Sequence, residues 1–305
     1  MADLLAIVLP VFGLIGIGYV GRRTGFVSER MGDGLSEFVF SLSVPCLIFN
    51  TLVRAEIPAV QPWGYWISYF AGVGVVWTLA MVLGRRLFGL KGISAVVAGF
   101  SAGQANTVFV GVPMILKAYG DEGAVPLFLL IAVHLPVTMT LATIMAEGRR
   151  ASPLTILRRL ATHPIVVGIL AGSALRPIAP YVPSPAWHVL ELLASAAVPC
   201  ALISMGIALR RYGLQMGWKL PTLISAFKLV LHPLVVLVLA TYVFEIPPVW
   251  AGVAVLFASC PSGINAYLFA ERYGEGVALA SSAVTLSTIL ALGTTLVWLS
   301  VLGIG

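Results

Sequence analysis

Two stretches of this sequence place amides and hydroxyls beside glycine and proline inside otherwise apolar runs. The first is GFSAGQANTVFVGVPMILKAYG, residues 99–120, and the second is LFASCPSGINAYLFAERYG, residues 256–274. Gln104, Asn106 and Thr107 in the first, with Ser259, Ser262 and Asn265 in the second, are neutral hydrogen-bonding groups. Pro113, Pro261 and Gly263 stand among them, and proline both lacks an N–H and clashes with the preceding turn. The helices are therefore expected to break near 104–113 and 259–265. Groups of this kind bind a solute without cutting its bonds. Where a helix restarts beyond a break, its positive dipole end faces the gap, which suits an anion. The bland alternative is that Asn, Gln and Ser simply join helices in a membrane, above all for Gln104 and Ser262.

Ionisable residues inside apolar runs add to the list. Lys228, in SAFKLVLHPLVV, and His134 are candidates to counter a substrate carboxylate or to handle a coupled proton. The competing reading makes the lysine a structural donor to the carbonyls of a broken neighbour, and the histidine a bond to an adjacent helix. No Asp or Glu lies near the two breaks, so cation/proton exchange of the carboxylate type is not expected. A Walker A motif is absent, as are G-x-S-x-G and H-E-x-x-H, which argues against an ATP-driven pump and an intramembrane hydrolase. Cys46, Cys200 and Cys260 lack metal-ligand spacing and read as small buried residues. No enzyme activity, cofactor or metal is expected.

These groups must be positioned by membrane-spanning elements. Hydrophobic residues make up 59% of the chain and charged residues 10%, less than half the usual charged share of a soluble domain. A bilayer core takes about 20 helical residues, and ten runs approach or exceed that length: 4–21, 34–53, 63–84, 93–119, 123–146, 163–180, 186–209, 218–243, 248–270 and 277–303. Helices are expected, because a lipid-exposed backbone must satisfy its own hydrogen bonds. The first run lacks a basic n-region and has Arg22-Arg23 where a cleavage site would stand, so it does not read as a signal peptide. Of the 18 Lys and Arg, 14 fall in the odd-numbered loops and only Arg54, Lys117 and Arg176 in the even ones. The positive-inside rule then places the odd loops in the cytoplasm and both termini outside. The net charge of +6 is read as this orientation signal, with no nucleic-acid partner.

The chain also repeats itself. EFVFSLSVPCLIF begins at Glu37 and ELLASAAVPCALI at Glu191, an offset of 154 that also aligns Pro10 with Pro164, Gly18 with Gly172, and Tyr119-Gly120 with Tyr273-Gly274. Each copy holds five runs, an odd number, so the second copy enters the membrane from the opposite face. The predicted fold is an all-α membrane protein of ten transmembrane helices in two inverted five-helix repeats, 1–150 and 155–305, with broken crossover helices 4 and 9. That architecture is typical of secondary carriers with a site at the midplane.

The two motifs, NTVFVGVPMILKAYG and CPSGINAYLFAERYG, resemble the crossover motifs of the auxin efflux carrier family. That family includes plant auxin carriers and bacterial members described as carriers of malonate or related carboxylates. The ninth-run pattern is present as Pro261, Gly263-Ile264, Tyr267, Phe269-Ala270 and Tyr273. The resemblance implies a homodimer with an elevator-like movement. A scaffold part, 1–55 and 160–212, would form the dimer contact, and a transport part, 60–150 and 215–305, would carry substrate. The fifth loop is short, unlike that of the plant carriers, which favours a bacterial-type member of the inner membrane. The expected function is secondary or facilitative transport of a small organic anion, with proton or sodium as a possible coupling ion. The alternative is a sodium-coupled symporter of the bile-acid-carrier type, and a more remote one is a non-transporting receptor or an enzyme.

Overall fold

The computed structural model describes residues 2–54, 62–148, 158, 162 and 164–304. Arg149, Arg150 and Arg159 of the fifth loop, one of the odd loops assigned above to the cytoplasm, lie outside the described residues. The described chain is helical, with no named strand. Its helices are α1 Leu4–Thr24, α2 Glu29–Arg54, α3 Trp63–Phe88, α4 Gly92–Gly103, α5 Thr107–Glu147, α6 Pro164–Ala174, α7 Ser184–Tyr212, α8 Lys219–Val243, α9 Pro248–Ser259, α10 Ile264–Tyr273 and α11 Val277–Val301.

Seven of these (α1, α2, α3, α5, α7, α8 and α11) are long and apolar enough to cross a bilayer, where hydropathy predicts ten crossings. The difference falls on the interrupted runs. The fourth run divides between α4 and the first part of α5, and the ninth between α9 and α10. Within α5, Gly120 leaves helical geometry at φ 57° and ψ −144°, so 107–119 and 121–147 run in different directions. The sixth run stays helical only over Pro164–Ala174 and continues as a 3₁₀ turn, Arg176–Tyr181, containing Pro177 and Pro180.

Prolines set the local form of three other helices. Pro45, Pro113 and Pro233 each follow a widened turn of five residues, Val39–Ser43, Thr107–Gly111 and Phe227–Leu231. In each case the residue before proline donates its N–H five positions back: Val44 to Val39, Val112 to Thr107 and His232 to Phe227. The missing proline N–H would have left a carbonyl without a partner and the ring against it, and a π turn makes room. At Pro233 the carbonyl concerned is that of Leu229, which accepts from Trp298 Nε1 at 2.7 Å.

Packing uses small residues as close-contact points. Helix α1 lies along α7 with Gly18 against the Ile203 backbone and Gly206 against that of Ile15. Helix α2 lies along α6 with Gly168 against the Pro45 backbone. Elsewhere α3 packs on α4, α8 on α3 and α9, α9 on α5, and α11 on α8 and α10. This second group encloses most of the fully buried polar side chains.

Candidate functional site at the crossing of two broken helices

Helix α4 ends at Gly103, and Gln104 is extended at φ −85° and ψ 122°. Helix α9 ends at Ser259, and Cys260 is extended at φ −57° and ψ 146°, the geometry favoured for a residue before proline. The two extended pieces lie antiparallel. Asn106 N donates to Pro261 O at 2.8 Å and Gly263 N to Gln104 O at 2.9 Å, with Ala105 and Ser262 paired between them. The broken backbones thus satisfy each other where no water could. A Cβ on Gly263 would stand 3.0 Å from the Ala105 carbonyl oxygen, so any larger residue would press the two extended pieces apart by a few tenths of an ångström.

A shell of buried side chains fixes the pairing from behind. The Ala105 amide N–H points at His134 Nε2, 3.2 Å away, and His134 Nδ1 is 2.9 Å from the Tyr69 hydroxyl. Gln104 Oε1 is in short contact with the same Nε2, and the ring tautomer decides whether that nitrogen accepts from Ala105 or donates to Gln104. Ser262 donates through Oγ to Ser101 O at 2.7 Å, and its N–H donates to Ser287 Oγ at 3.0 Å. Ser259 bonds back to Leu256 O. Lys228 is fully buried, donates to Ala258 O at 2.5 Å and lies 3.2 Å from His232 Nδ1.

On the other side of the pairing is a cavity of about 180 Å³. Its polar lining comes from Asn106, Thr107, Gly263 and Asn265, and its apolar lining includes Phe40, Phe109 and Leu268. The helices restarting at Thr107 and at Ile264 both begin at this cavity, and neither N-terminus carries a side-chain cap. The Thr107 N–H turns back to Ala105 O and the Ala266 N–H to Gly263 O, both at 3.0 Å, while the positive dipole ends of both helices face the cavity and a ligand in it. Asn106 reaches only Met205 Sδ, at 3.4 Å, and the side chains of Thr107 and Asn265 make no hydrogen bond among the described residues.

The residues singled out in the sequence therefore separate into two sets. Asn106, Thr107, Gly263 and Asn265 line the cavity. Gln104, His134, Ser259, Ser262 and Lys228 lie outside its lining and bond to the broken backbone or to the helix turns beside it, while Pro113 and Pro261 shape the turns. Tyr69 and Ser287, which with Ser101 complete the supporting shell, carried no signal in the sequence, and Ser101 lay unremarked inside the first stretch. Tyr69 sits in a run with Tyr65, Trp66 and Phe70, and nothing in spacing marks it apart.

Two further cavities are present, of which one adjoins the crossing. One of about 230 Å³ shares Phe40, Phe109, Ile264 and Leu268 with it and opens among Glu29, Asp33, Glu37 and Arg211. Phe40 and Phe109 stand edge to face, 5.1 Å apart, between the two spaces. The other, about 780 Å³, lies among Asn50, Arg54, Asp121, Glu122 and Glu191 and shares no lining residue with the crossing.

Comparison with known proteins gives a consistent result. Residues 4–299 match the family model described as membrane transport protein. A Rhizobium meliloti protein named "Putative malonate transporter" is 30% identical over 307 residues, covering 96% of this chain and 94% of that protein. An uncharacterized transporter of Methanothermobacter thermautotrophicus is 26% identical, covering 97% of each chain. Auxin efflux carrier component 8 of Arabidopsis thaliana is 21% identical over 350 residues, covering 95% of each.

Proposed function

The chain belongs to the membrane transport protein family, whose members include an auxin efflux carrier, and from that premise we propose that this transporter moves a small carboxylate such as malonate. The observation that carries the reading is the pair of uncapped helix N-termini opening on one small cavity with Asn106, Thr107 and Asn265. Neutral donors and two positive dipole ends favour an anion without fixing it by a permanent salt bridge. A carrier needs that balance, since it must also release its load. The similarity to a protein named for malonate transport supports the substrate class.

The proposed architecture is ten crossings in two inverted halves within the inner membrane, with both termini outside. The seven long helices account for most crossings, and the broken fourth and ninth runs and α6 would supply the rest. Helices α1, α2, α6 and α7 would form the scaffold and the contact of a homodimer. The remaining helices would move as an elevator, presenting the crossing to the 780 Å³ space on one side and the 230 Å³ space on the other.

Proteoliposomes loaded with purified protein test the substrate and the site together. We expect saturable uptake of radiolabelled malonate, with Asn106→Ala and Asn265→Ala each weakening affinity about tenfold or more, since a hydrogen bond to a charged group is worth about 1.5–3 kcal/mol. Uptake kinetics unchanged in both variants would remove the crossing as the binding site.

A further inference from the structure

Lys228 is fully buried, and no ion pair among the described residues includes it. The other fully buried ionisable groups around it are His134, His232, Tyr69 and Cys260, with no carboxylate among them. What the ammonium group does have is a carbonyl. Ala258 is the next-to-last residue of α9, so its oxygen belongs to the last helical turn, which lacks intrahelical partners and gathers the negative end of the dipole. In carriers built on broken helices, such C-terminal ends and unwound carbonyls are where a coupling sodium ion or proton is held. Here that end is already filled by a cation of the chain itself.

We propose that Lys228 is a built-in counter-cation: its ammonium occupies the carbonyl end of α9 in place of a free coupling ion, so the transport cycle needs no sodium. The local structure fixes it there. Lys228 lies in the widened turn Phe227–Leu231, and the next carbonyl, that of Leu229, is held by Trp298. His232 presents Nδ1 from one turn on, and its ring occupies space left by Gly72, where a Cβ would stand 2.8 Å from Cδ2. The inference rests on reading the chain as a broken-helix carrier, and makes Lys228 a positioning residue outside the substrate cavity.

Melting of the purified full chain tests it without any substrate, so the result is separable from the choice of anion. Wild-type protein is melted in sodium, potassium and N-methylglucamine chloride at one ionic strength, and Lys228→Ala in the same salts and in ethylammonium chloride. The wild-type midpoint is expected to be the same in all three salts. Lys228→Ala should melt several degrees lower, and regain most of the loss in ethylammonium or sodium but not in N-methylglucamine. Malonate uptake lost in this variant should return with ethylammonium. A wild-type midpoint raised selectively by sodium overturns the proposal, as does a folded variant that answers to no cation. If Lys228→Ala does not fold, Lys228→Met, with a stem of similar length and no charge, decides the matter. A wild-type midpoint in Lys228→Met overturns the proposal, and one lowered by several degrees upholds it.

Discussion

His134 is held from two sides, by the Ala105 amide on one ring nitrogen and by Tyr69 on the other, with Gln104 alongside. Removing the Tyr69 hydroxyl would leave a buried ring nitrogen unpaired, at a cost of about 1–3 kcal/mol. Tyr69→Phe is therefore expected to lower the melting midpoint while leaving the affinity of the folded protein for malonate within about twofold, since the hydroxyl is not part of the cavity lining. A variant with an unchanged midpoint and a large loss of affinity would instead put Tyr69 in contact with the solute. Gly263→Ala should act in the opposite sense. Its methyl group would push against the Ala105 carbonyl and spread the pairing, so uptake should fall severely even where the protein still folds and purifies. The residue scale also shows how far the sequence could be read. Asn106, Thr107 and Asn265 were legible as polar groups beside a break inside an apolar run, a description that fits Gln104 and Ser262 equally although these lie outside the cavity lining. Lys228 and His134 were legible as deep residues. Which side of the break they occupy was not, because hydropathy reports depth and carries no information about facing.

The widened turns before Pro45, Pro113 and Pro233 show one solution applied in three helices, and the α8 case is open to a direct energetic test. Trp298→Phe should destabilise the protein by about 1–3 kcal/mol, because the Leu229 carbonyl loses its donor in a dry setting. Pro233→Ala restores a backbone N–H that can serve the same carbonyl. The loss caused by Trp298→Phe should then be smaller in the Pro233→Ala background, and a double-mutant cycle on unfolding free energies would read the difference. Strict additivity would show that the indole does not compensate for the proline. The elements themselves were largely foreseen, with the two breaks near 104 and 260 and the long helices in place. The sixth run was over-extended, since Pro177 and Pro180 stop regular helix after Ala174 in a stretch that hydropathy alone reads as continuous. The turn at Gly120, followed by Asp121 and Glu122, falls where the hydropathy runs 93–119 and 123–146 divide, although a length criterion merges the two helical pieces into one.

Across the whole molecule, the basic residues Arg22, Arg86, Arg211 and Arg272 are assigned to one face and Pro62 to the other by the asymmetry of Lys and Arg between loops. In a cysteine-free background, Pro62→Cys should react with an impermeant maleimide added to intact cells, and Arg86→Cys should react only after the membrane is opened. Labelling of Arg86→Cys in intact cells would reverse the orientation. On the proposed mechanism the two further cavities lie on opposite sides of a crossing whose two lips, 104–106 and 261–263, are tied together by backbone hydrogen bonds. That tie bears on thermodynamics as well as on architecture. If the lips cannot part, the solute meets the same atoms in the same arrangement whichever compartment it comes from, and its dissociation constant is the same on both faces. Such a device has no preferred direction. Accumulation or depletion would then be dictated wholly by concentration gradients and membrane voltage, and preloaded vesicles would exchange labelled for unlabelled acid without net flow.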